Sequence, residues 1–223
     1  VRTAEADGFE RIVGFDMGGT STDVSHYAGT LERETETVVN GVRLRVPMMN
    51  IHTVAAGGGS IVRFADGRLQ VGPESAGAYP GPACYRNGGP LTVTDCNLLL
   101  GRVNPAFFPS VFGPEQNQPL DLDTVQAQFS ELAEQVIEAT GHLWTTEQLA
   151  EGFLNIAVES MAAAVKKISV QRGYDVQDYA LSAFGGAGGQ HACAVAAALG
   201  ISTVYLHPMA GVLSAYGIGI ADQ

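Results

Sequence analysis

The chain has 223 residues, which is enough for one large domain or two small ones. Hydrophobic residues make up 46% of it and charged residues 16%, a balance that fits a folded globule and argues against global disorder. Twelve lysines and arginines stand against 23 aspartates and glutamates, and the resulting net charge of −11 argues against a nucleic-acid partner.

Three cysteines, Cys84, Cys96 and Cys193, are spread along the chain without a C-x-x-C pair. We expect neither a disulfide framework nor a zinc knuckle, and a reducing, cytoplasmic compartment is the simplest interpretation. No apolar run reaches the roughly 18–20 residues that a membrane span requires, so a membrane partner is not expected. The chain begins without methionine, and we expect it to be a fragment of a longer protein.

The first part of the chain is predicted to form strands. Residues 11–16 are a short apolar run that ends in a Gly-Gly-Thr turn, and two segments rich in Thr and Val follow. From about 42 to 120 the chain is rich in glycine and proline, and we expect an inserted region of strands and loops there. Within it, Asp66 and Gly67 supply the turn of a predicted hairpin over 60–72.

Two amphipathic helices are predicted next. The first covers residues 121–141 and closes at its final glycine. The second begins near Thr145, which has capping-box spacing with Gln148, and ends at Gln171 or Arg172. The apolar positions that we expect these helices to bury are Val125, Phe129, Leu132, Val136, Ile137, Leu149, Phe153, Ile156, Met161, Val165 and Ile168.

The last part of the chain alternates between strands and helices. A strand over 179–184, a glycine-rich loop, a helix over 190–200 and a strand over 202–207 are predicted, with a final helix within 211–222. Strand–helix–strand alternation indicates a parallel βαβ unit.

The most specific motif is DMGGTSTDVS, which starts at Asp16. An apolar strand brings this carboxylate to its end, and the glycines let the backbone turn and approach a ligand closely. Amides in such a turn can hold phosphate oxygens, and a divalent cation would be needed between the phosphates and Asp16, so we interpret Asp16 as a Mg²⁺ partner. A plain hairpin turn is the alternative. The residues that would contact the nucleotide are Gly18, Gly19, Thr20, Ser21, Thr22 and Asp23.

A second glycine-rich motif follows the predicted strand 179–184 and opens a helix, the context in which such a loop can bind a nucleotide. Without side chains, a planar ring or a phosphate can lie against the backbone, and the start of a helix favours anions. A tight connection between strand and helix is an equally good interpretation. The residues of this second loop are Gly185, Gly186, Ala187, Gly188 and Gly189.

Four motifs in this order, FDMGGTSTDVS, GGPLTVTDCNLLLGR, ALSAFGGAGGQHA and GVLSAYGIGIAD, resemble the hydantoinase A/5-oxoprolinase/acetone carboxylase family from about Arg11 to Asp222. The resemblance implies an α/β fold: an actin-like ATPase (ribonuclease H-like) lobe with a mixed sheet flanked by helices. In that superfamily, the stretch from Asp16 to Asp23 is similar to the second phosphate loop, and Phe184 to Gly189 to the adenosine loop. We therefore expect both turns to converge on one ATP.

The family further implies an ATP-dependent hydrolase of cyclic amides such as a hydantoin or 5-oxoproline, with ATP and Mg²⁺ as cofactors and Asp16 as the catalytic and metal-binding residue. Phosphoryl transfer to the ring carbonyl oxygen would make the stable amide attackable by water. An ATP-dependent ketone carboxylase and a non-catalytic nucleotide-binding module are the alternatives.

The resemblance also implies partners. They are a missing N-terminal lobe of the same chain and a hydantoinase B-type subunit or C-terminal half. We expect the fragment alone to be inactive and to bind ATP weakly.

Four further features stay open at this point. Either Thr94 or Asp95 caps the helix that follows, or Asp95 lies in the cleft. Residues 56–60 form either a second amide cradle or a sharp turn. We expect His52 to be a structural, hydrogen-bonded histidine and His191 to be a neutral ring near the ligand pocket, since a cation is unfavourable in the first turn of a helix.

Overall fold

The computed structural model describes residues 1–39 and 41–221. Its helices are α1 (Arg2–Ala6), α2 (Val93–Leu99), α3 (Leu122–Thr140), α4 (Thr146–Ile168), α5 (Gly188–Leu199) and α6 (Leu213–Gly219). Its strands are β1 (Arg11–Met17), β2 (Thr22–Ala28), β3 (Arg33–Glu34), β4 (Thr37–Val39), β5 (Val42–Leu44), β6 (Met48–Met49), β7 (Ile51–Val54), β8 (Ser60–Ala65), β9 (Arg68–Ser75), β10 (Ala180–Phe184) and β11 (Thr203–Leu206).

The chain divides into two compact units. The first unit contains Val1–Met17, Thr22–Val54 and the chain from Met161 onward. The second contains Gly18–Ser21 and Ala55–Ser160. This division differs from the predicted insert over 42–120, because it assigns α3 and the first part of α4 to the same unit as the glycine-rich loops.

A five-stranded mixed sheet in the order β11–β10–β1–β2–β7 forms the first unit. Strand β10 runs parallel to both β1 and β11, whereas β2 is antiparallel to β1 and β7. The predicted strand, turn and second strand at the start of the chain and the parallel βαβ unit through α5 are therefore confirmed. The second of the two Thr- and Val-rich segments forms the short strands β3 and β4, which lie outside this sheet. Strand β1 is apolar because residues on both of its faces are fully buried, among them Ile12, Val13 and Phe15.

A buried histidine joins distant segments of the first unit. The ring of His26 lies 2.8 Å through Nδ1 from Oε1 of Glu32 and 2.9 Å through Nε2 from the hydroxyl of Tyr179. The other oxygen of Glu32 accepts hydrogen bonds from Asn50 and Arg172, each at 3.0 Å. Glu32 thereby links β2, the segment before β7 and the chain after α4.

The second unit contains the predicted hairpin, formed by β8 and β9. Its turn residues Asp66 and Gly67 both have positive φ angles, 53° and 72°, as a tight two-residue hairpin turn requires. Helix α3 begins at Asp121, whose carboxylate accepts a hydrogen bond from the amide of Thr124 at 3.0 Å. It ends at Gly141, which has a φ of 71°. The predicted limits of this helix are confirmed.

The start of α4 is also as predicted, since the side chains and amides of Thr145 and Gln148 bond reciprocally at 2.9 and 3.2 Å. The end of α4 differs from the predicted end at Gln171 or Arg172. The α-helix stops at Ile168, and a 3₁₀ turn over Val170–Arg172 leads to Gly173, which has a φ of 88°. Tighter 3₁₀ turns are frequent at helix ends, and here one covers the last part of the predicted helix, Val170–Arg172. None of the helices in the described residues has the length and apolar character that crossing a bilayer requires.

Of the apolar positions predicted for the two long helices, all except Ile137 and Ile156 are buried, and these two are half-buried.

Candidate functional site

Asp16 is half-buried near the carboxyl end of β1 and directly faces Asp23 on β2. Directly opposed residues of antiparallel strands lie on the same face with Cβ atoms roughly 4.5–5.5 Å apart, so two carboxylates stand side by side here. A hydroxyl accompanies each of them. Thr53 donates a hydrogen bond to Oδ1 of Asp23 at 2.6 Å, and Ser214 donates one to Oδ2 of Asp16 at 2.7 Å.

The turn after β10 lies against this end of β1. Strands β1 and β10 are parallel, and Asp16 is the register partner of Phe184. Both strands therefore end at the same edge of the sheet. Gly185, with a φ of 84°, is required there: a Cβ atom on it would lie 2.5 Å from Oδ1 of Asp16 and would also meet the carbonyl oxygen of Met17. The same carbonyl accepts a hydrogen bond from the amide of Ala187 at 3.0 Å. The structure therefore brings the end of the first motif strand and the second glycine loop together.

Helix α5 starts in this second loop. Gly186 and Gly189 are exposed, whereas Ala187 and Gly188 are buried. Ala187, the N-cap residue of α5, makes no side-chain hydrogen bond to the helix. The amide of Gln190 bonds to the carbonyl of Ala187 at 3.2 Å, and the start of α5 presents the positive end of the helix dipole.

Residues 18–21 belong to the second unit and form a tight turn, in which the amide of Gly18 bonds to the carbonyl of Ser21 at 3.0 Å. Within the described chain, no hydrogen bond uses the amides of Thr20 and Ser21. Thr20 and Gly19 are exposed. That the amides of this turn hold phosphate oxygens stays a prediction of the first motif.

Residues 56–60 support that turn and do not form a cradle of their own. The amides of Gly58 and Gly59 bond to the carbonyls of Gly18 and Gly19 at 3.1 and 2.6 Å. The amide of Gly57 is bonded to the hydroxyl of Ser60 at 2.9 Å. Because these amides are already bonded within the protein, the sharp-turn interpretation holds and the amide-cradle interpretation is wrong.

Thr22 departs from the expected nucleotide contacts. It is fully buried, and successive residues of a strand face opposite sides of the sheet, so its side chain points away from the face that carries Asp23. Asp23, Gly18 and Ser21 are half-buried.

Asp95 is a structural carboxylate. It is fully buried and accepts hydrogen bonds from the amides of Ala83, Cys84 and Thr92 at 3.1, 2.9 and 2.8 Å. Thr92, and not Thr94 or Asp95, is the N-cap of α2, and Asp95 completes its capping box. Burial raises the pKa of Asp95, against the effect of these hydrogen bonds. The capping interpretation holds, and the N-cap lies earlier than predicted because Asp95 occupies the third helical position.

The two candidate histidines have different surroundings. His191 is fully buried in the first turn of α5, so its ring has no surface open to a ligand. His52 is half-buried on β7, where burial and then the charge of Lys167 lower its pKa.

Among the described residues, no group of three or more His, Cys, Asp or Glu side chains forms a complete metal site. The Asp16–Asp23 pair nevertheless fits Mg²⁺, since this ion commonly takes one or two carboxylates and completes its shell with phosphate and water. Without a cation, two opposed carboxylates repel each other.

Ser214 and Thr53 are the site residues that the sequence analysis missed. Ser214 lies within the motif GVLSAYGIGIAD, to which the sequence pattern assigns no site residue. The last residue of that motif, Asp222, lies outside the described residues.

A cavity of about 500 Å³ is lined by residues such as Phe9 and Ser202, near the amino ends of β1 and β11. Ligands of such sheets bind at the carboxyl ends of parallel strands, so we do not take this cavity as the candidate site.

The chain is similar in sequence to one protein family and to several known proteins. A model of the family described as Hydantoinase/oxoprolinase matches residues 1–223. The 5-oxoprolinase of Dictyostelium discoideum is 49% identical over 95% of this chain, which spans 17% of that protein. The caprolactamase subunit alpha of Pseudomonas jessenii is 36% identical over 98% of this chain and 30% of its own length.

Solved structures of two proteins share the fold. An acetone carboxylase in its nucleotide-free form matches 99% of this chain with a TM-score of 0.82 and 26% identity. The ATP-dependent caprolactamase from Pseudomonas jessenii matches 96% with a TM-score of 0.81 and 35% identity. The chain covers 30% of each of those chains. Together with the mixed sheet and its helices, these matches establish an α/β fold.

Proposed function

The chain belongs to the hydantoinase/oxoprolinase family, and on that premise we propose that it is the nucleotide-binding part of an ATP-dependent enzyme that opens cyclic amides. The curated relatives named 5-oxoprolinase and caprolactamase support this substrate class. Since this chain spans about a sixth of the 5-oxoprolinase of Dictyostelium, the activity belongs to a longer protein.

One observation carries the proposal: the end of β1 meets the glycine loop after β10. A Cβ on Gly185 would reach Oδ1 of Asp16 at 2.5 Å, and Ala187 bonds to the carbonyl of Met17 at 3.0 Å. A carboxylate beside a side-chain-free turn that opens a helix suits the polyphosphate of a nucleotide.

Bound Mg²⁺ would offset negative charge on the phosphates. In our proposal Asp16 is the carboxylate that binds this Mg²⁺, and Asp23 provides a second carboxylate. The turn over residues 18–21 belongs to the second unit, and we propose it by itself as a phosphate-binding turn. The start of α5 provides amides and the dipole end, while Gly186 and Gly189 let the nucleotide approach the backbone. The buried Thr22 has no part in this site.

The chemistry that we propose is phosphoryl transfer from ATP to the ring carbonyl oxygen, which activates the carbonyl carbon toward water. Overall, one cyclic amide, one ATP and two waters give the ring-opened amino acid, ADP and phosphate. Catalysis of such a transfer is mostly positioning and electrostatic stabilisation, which glycine amides and a fixed carboxylate supply.

We further propose that the chain is an actin-like ATPase lobe, with the glycine- and proline-rich region around 42–120 as its insert. The missing parts of the longer protein include an N-terminal lobe and a hydantoinase B-type half or subunit. The name of the caprolactamase relative, a subunit alpha, is consistent with a second subunit.

Replacing Asp16 with Asn in the full-length protein tests the proposal. We expect turnover to fall by at least about 100-fold, the lower range for loss of a positioned electrostatic group, with a smaller change in nucleotide affinity. Asp178→Asn is the matched control, because its exposed carboxylate pairs with Arg11 at the other end of β1. Equal ATP hydrolysis by wild type and Asp16→Asn would refute the proposal.

The acetone carboxylase structure supports a second candidate, ATP-dependent carboxylation of a ketone. ATP hydrolysis by the full-length protein, measured with 5-oxoproline, N-methylhydantoin, caprolactam, or acetone plus bicarbonate, separates the two reactions. Stimulation by acetone and bicarbonate alone would favour the carboxylase, and nucleotide binding without any turnover would favour a binding module.

A further inference from the structure

Ser214 is joined to the candidate site by a single contact. Its hydroxyl donates a hydrogen bond to Oδ2 of Asp16 at 2.7 Å, although the two residues are 198 positions apart in the chain. A serine hydroxyl has one hydrogen to donate, so this bond fixes one oxygen of the carboxylate and leaves Oδ1 available.

The segment that carries Ser214 is itself fixed on the turn that faces Asp16. The carbonyl of Ala210 accepts a hydrogen bond from the amide of Gly185 at 3.0 Å. Leu213, next to Ser214, is buried, whereas most of α6 is exposed. The position of Ser214 is therefore set by the same turn that approaches Oδ1 of Asp16.

The two oxygens of Asp16 are thus held differently. Gly185 lies against Oδ1 without a side chain, and Ser214 bonds Oδ2. The terminal torsion of an aspartate is broad, so without such a bond the carboxylate plane would rotate easily. Rotation would be favoured further by repulsion from Asp23 directly opposite.

We propose that Ser214 is a positioning residue that holds the carboxylate of Asp16 in the orientation needed for the magnesium–nucleotide complex. This inference rests on the proposed function of Asp16. Residues that orient a metal-binding carboxylate through a hydrogen bond typically change metal affinity by roughly 10- to 100-fold when removed.

The test is binding of Mn²⁺ to the full-length protein in the presence of a non-hydrolysable ATP analogue, followed by the electron paramagnetic resonance signal of free Mn²⁺. The variants are Ser214→Ala, Ser214→Thr and Ser214→Val. Thr and Val have nearly the same shape, so their difference reports the hydroxyl alone. Ser202→Ala, at an exposed serine with no side-chain hydrogen bond among the described residues, is the control.

We expect Ser214→Ala and Ser214→Val to weaken Mn²⁺ binding roughly 10-fold. Ser214→Thr should restore it, with the thermal midpoint unchanged in all three. The Mg²⁺ concentration for half-maximal turnover should rise by a similar factor, with a smaller change in kcat at saturating Mg²⁺.

Asp16→Asn separates failure of the inference from failure of the proposed function. If Asp16→Asn loses Mn²⁺ binding while the Ser214 variants keep it, the role of Ser214 is refuted and that of Asp16 stands. If Asp16→Asn binds Mn²⁺ as the wild type does, the proposed role of Asp16 is refuted, and that of Ser214 with it. A Val variant that binds as well as the Thr variant also overturns the inference.

Discussion

Gly185 and Asp16 are so close that any side chain at Gly185 would disturb the carboxylate. A Cβ atom there would lie 2.5 Å from Oδ1 of Asp16, and the φ of Gly185 is 84°, in the left-handed region that favours glycine. The absence of a side chain at this position is thus a condition for the contact between β1 and the second glycine loop.

Gly185→Ala is therefore expected to lower both stability and nucleotide binding. The left-handed conformation alone costs roughly 1–2 kcal/mol for a residue with a Cβ, and the contact with Asp16 adds to it. For a chain of this size each kcal/mol corresponds to about 2–4 °C in the unfolding midpoint. Thermal unfolding and nucleotide titration measure the two effects.

Gly186→Ala is the matched control for that change. A Cβ on Gly186 meets nothing within 4 Å, and its φ is not in the left-handed region. We expect an unchanged unfolding midpoint, with reduced nucleotide affinity only if the ligand approaches this backbone. Equal destabilisation by both variants would contradict the predicted role of Gly185.

Gly57→Ala should displace the turn over residues 18–21. A Cβ on Gly57 would lie 2.6 Å from the carbonyl carbon of Thr20 and 2.7 Å from the amide nitrogen of Ser21, and backbone cannot yield as a flexible side chain can. We expect a loss of about 1–3 kcal/mol in stability, as for overpacked sites, with weaker nucleotide binding.

Gly19→Ala separates support of that turn from contact with the ligand. A Cβ on Gly19 meets nothing within 4 Å, and this residue is exposed. The unfolding midpoint should stay within about 1 °C of the wild type, consistent with the small effect of open surface sites. Nucleotide affinity should fall; unchanged affinity would argue against close approach of phosphates to this backbone.

Glu32→Gln should remove a pH-dependent contribution to stability. Partial burial would raise the pKa of Glu32, but hydrogen bonds from Asn50 and His26 outweigh it, and the pKa lies below its ordinary value. A carboxyl whose pKa is lowered by folding stabilises the protein above its unfolded-state pKa, and this contribution is lost as the pH falls through the folded-state pKa.

At pH 7 we therefore expect Glu32→Gln to destabilise the chain by about 1–3 kcal/mol, as for hydrogen bonds to a charged group. The difference from wild type should shrink as the pH falls below the ordinary pKa of Glu. Glu131→Gln, at an exposed position on α3, is the control. Thermal unfolding between pH 7 and the acid range measures the effect, and a difference that does not depend on pH would contradict it.

The three cysteines should differ sharply in reactivity. Cys84 and Cys96 are buried, and burial, followed by the charge of Asp95, raises the pKa of both thiols. Cys193 on α5 is exposed. Since the thiolate is the reactive form, we expect iodoacetamide to modify Cys193 alone in the native protein and all three in urea, as mapped by mass spectrometry. Rapid native labelling of Cys84 would contradict this burial.

Local rules account for much of what the sequence predicted. The Asp66–Gly67 turn, the start of α4 at Thr145 and the end of α3 at Gly141 depend on a few neighbouring residues, and each lies where predicted. The N-cap of α2 was misassigned because Thr92, Thr94 and Asp95 all suit a helix start, and the buried bonds from Ala83 and Cys84 to Asp95 involve a distant segment.

The sequence by itself determined the family, the apolar strand that ends in Asp16 and the glycine content of both loops, because these depend on residue type and short spacing. Only the tertiary structure decided that Gly185 lies against Asp16, that Asp23 stands opposite it and that Ser214 donates to it. It also decided that Thr22 is buried and that the amides of Gly58 and Gly59 are used within the protein. Strand register and the pairing of segments up to 198 positions apart fix these contacts, and no local pattern encodes them.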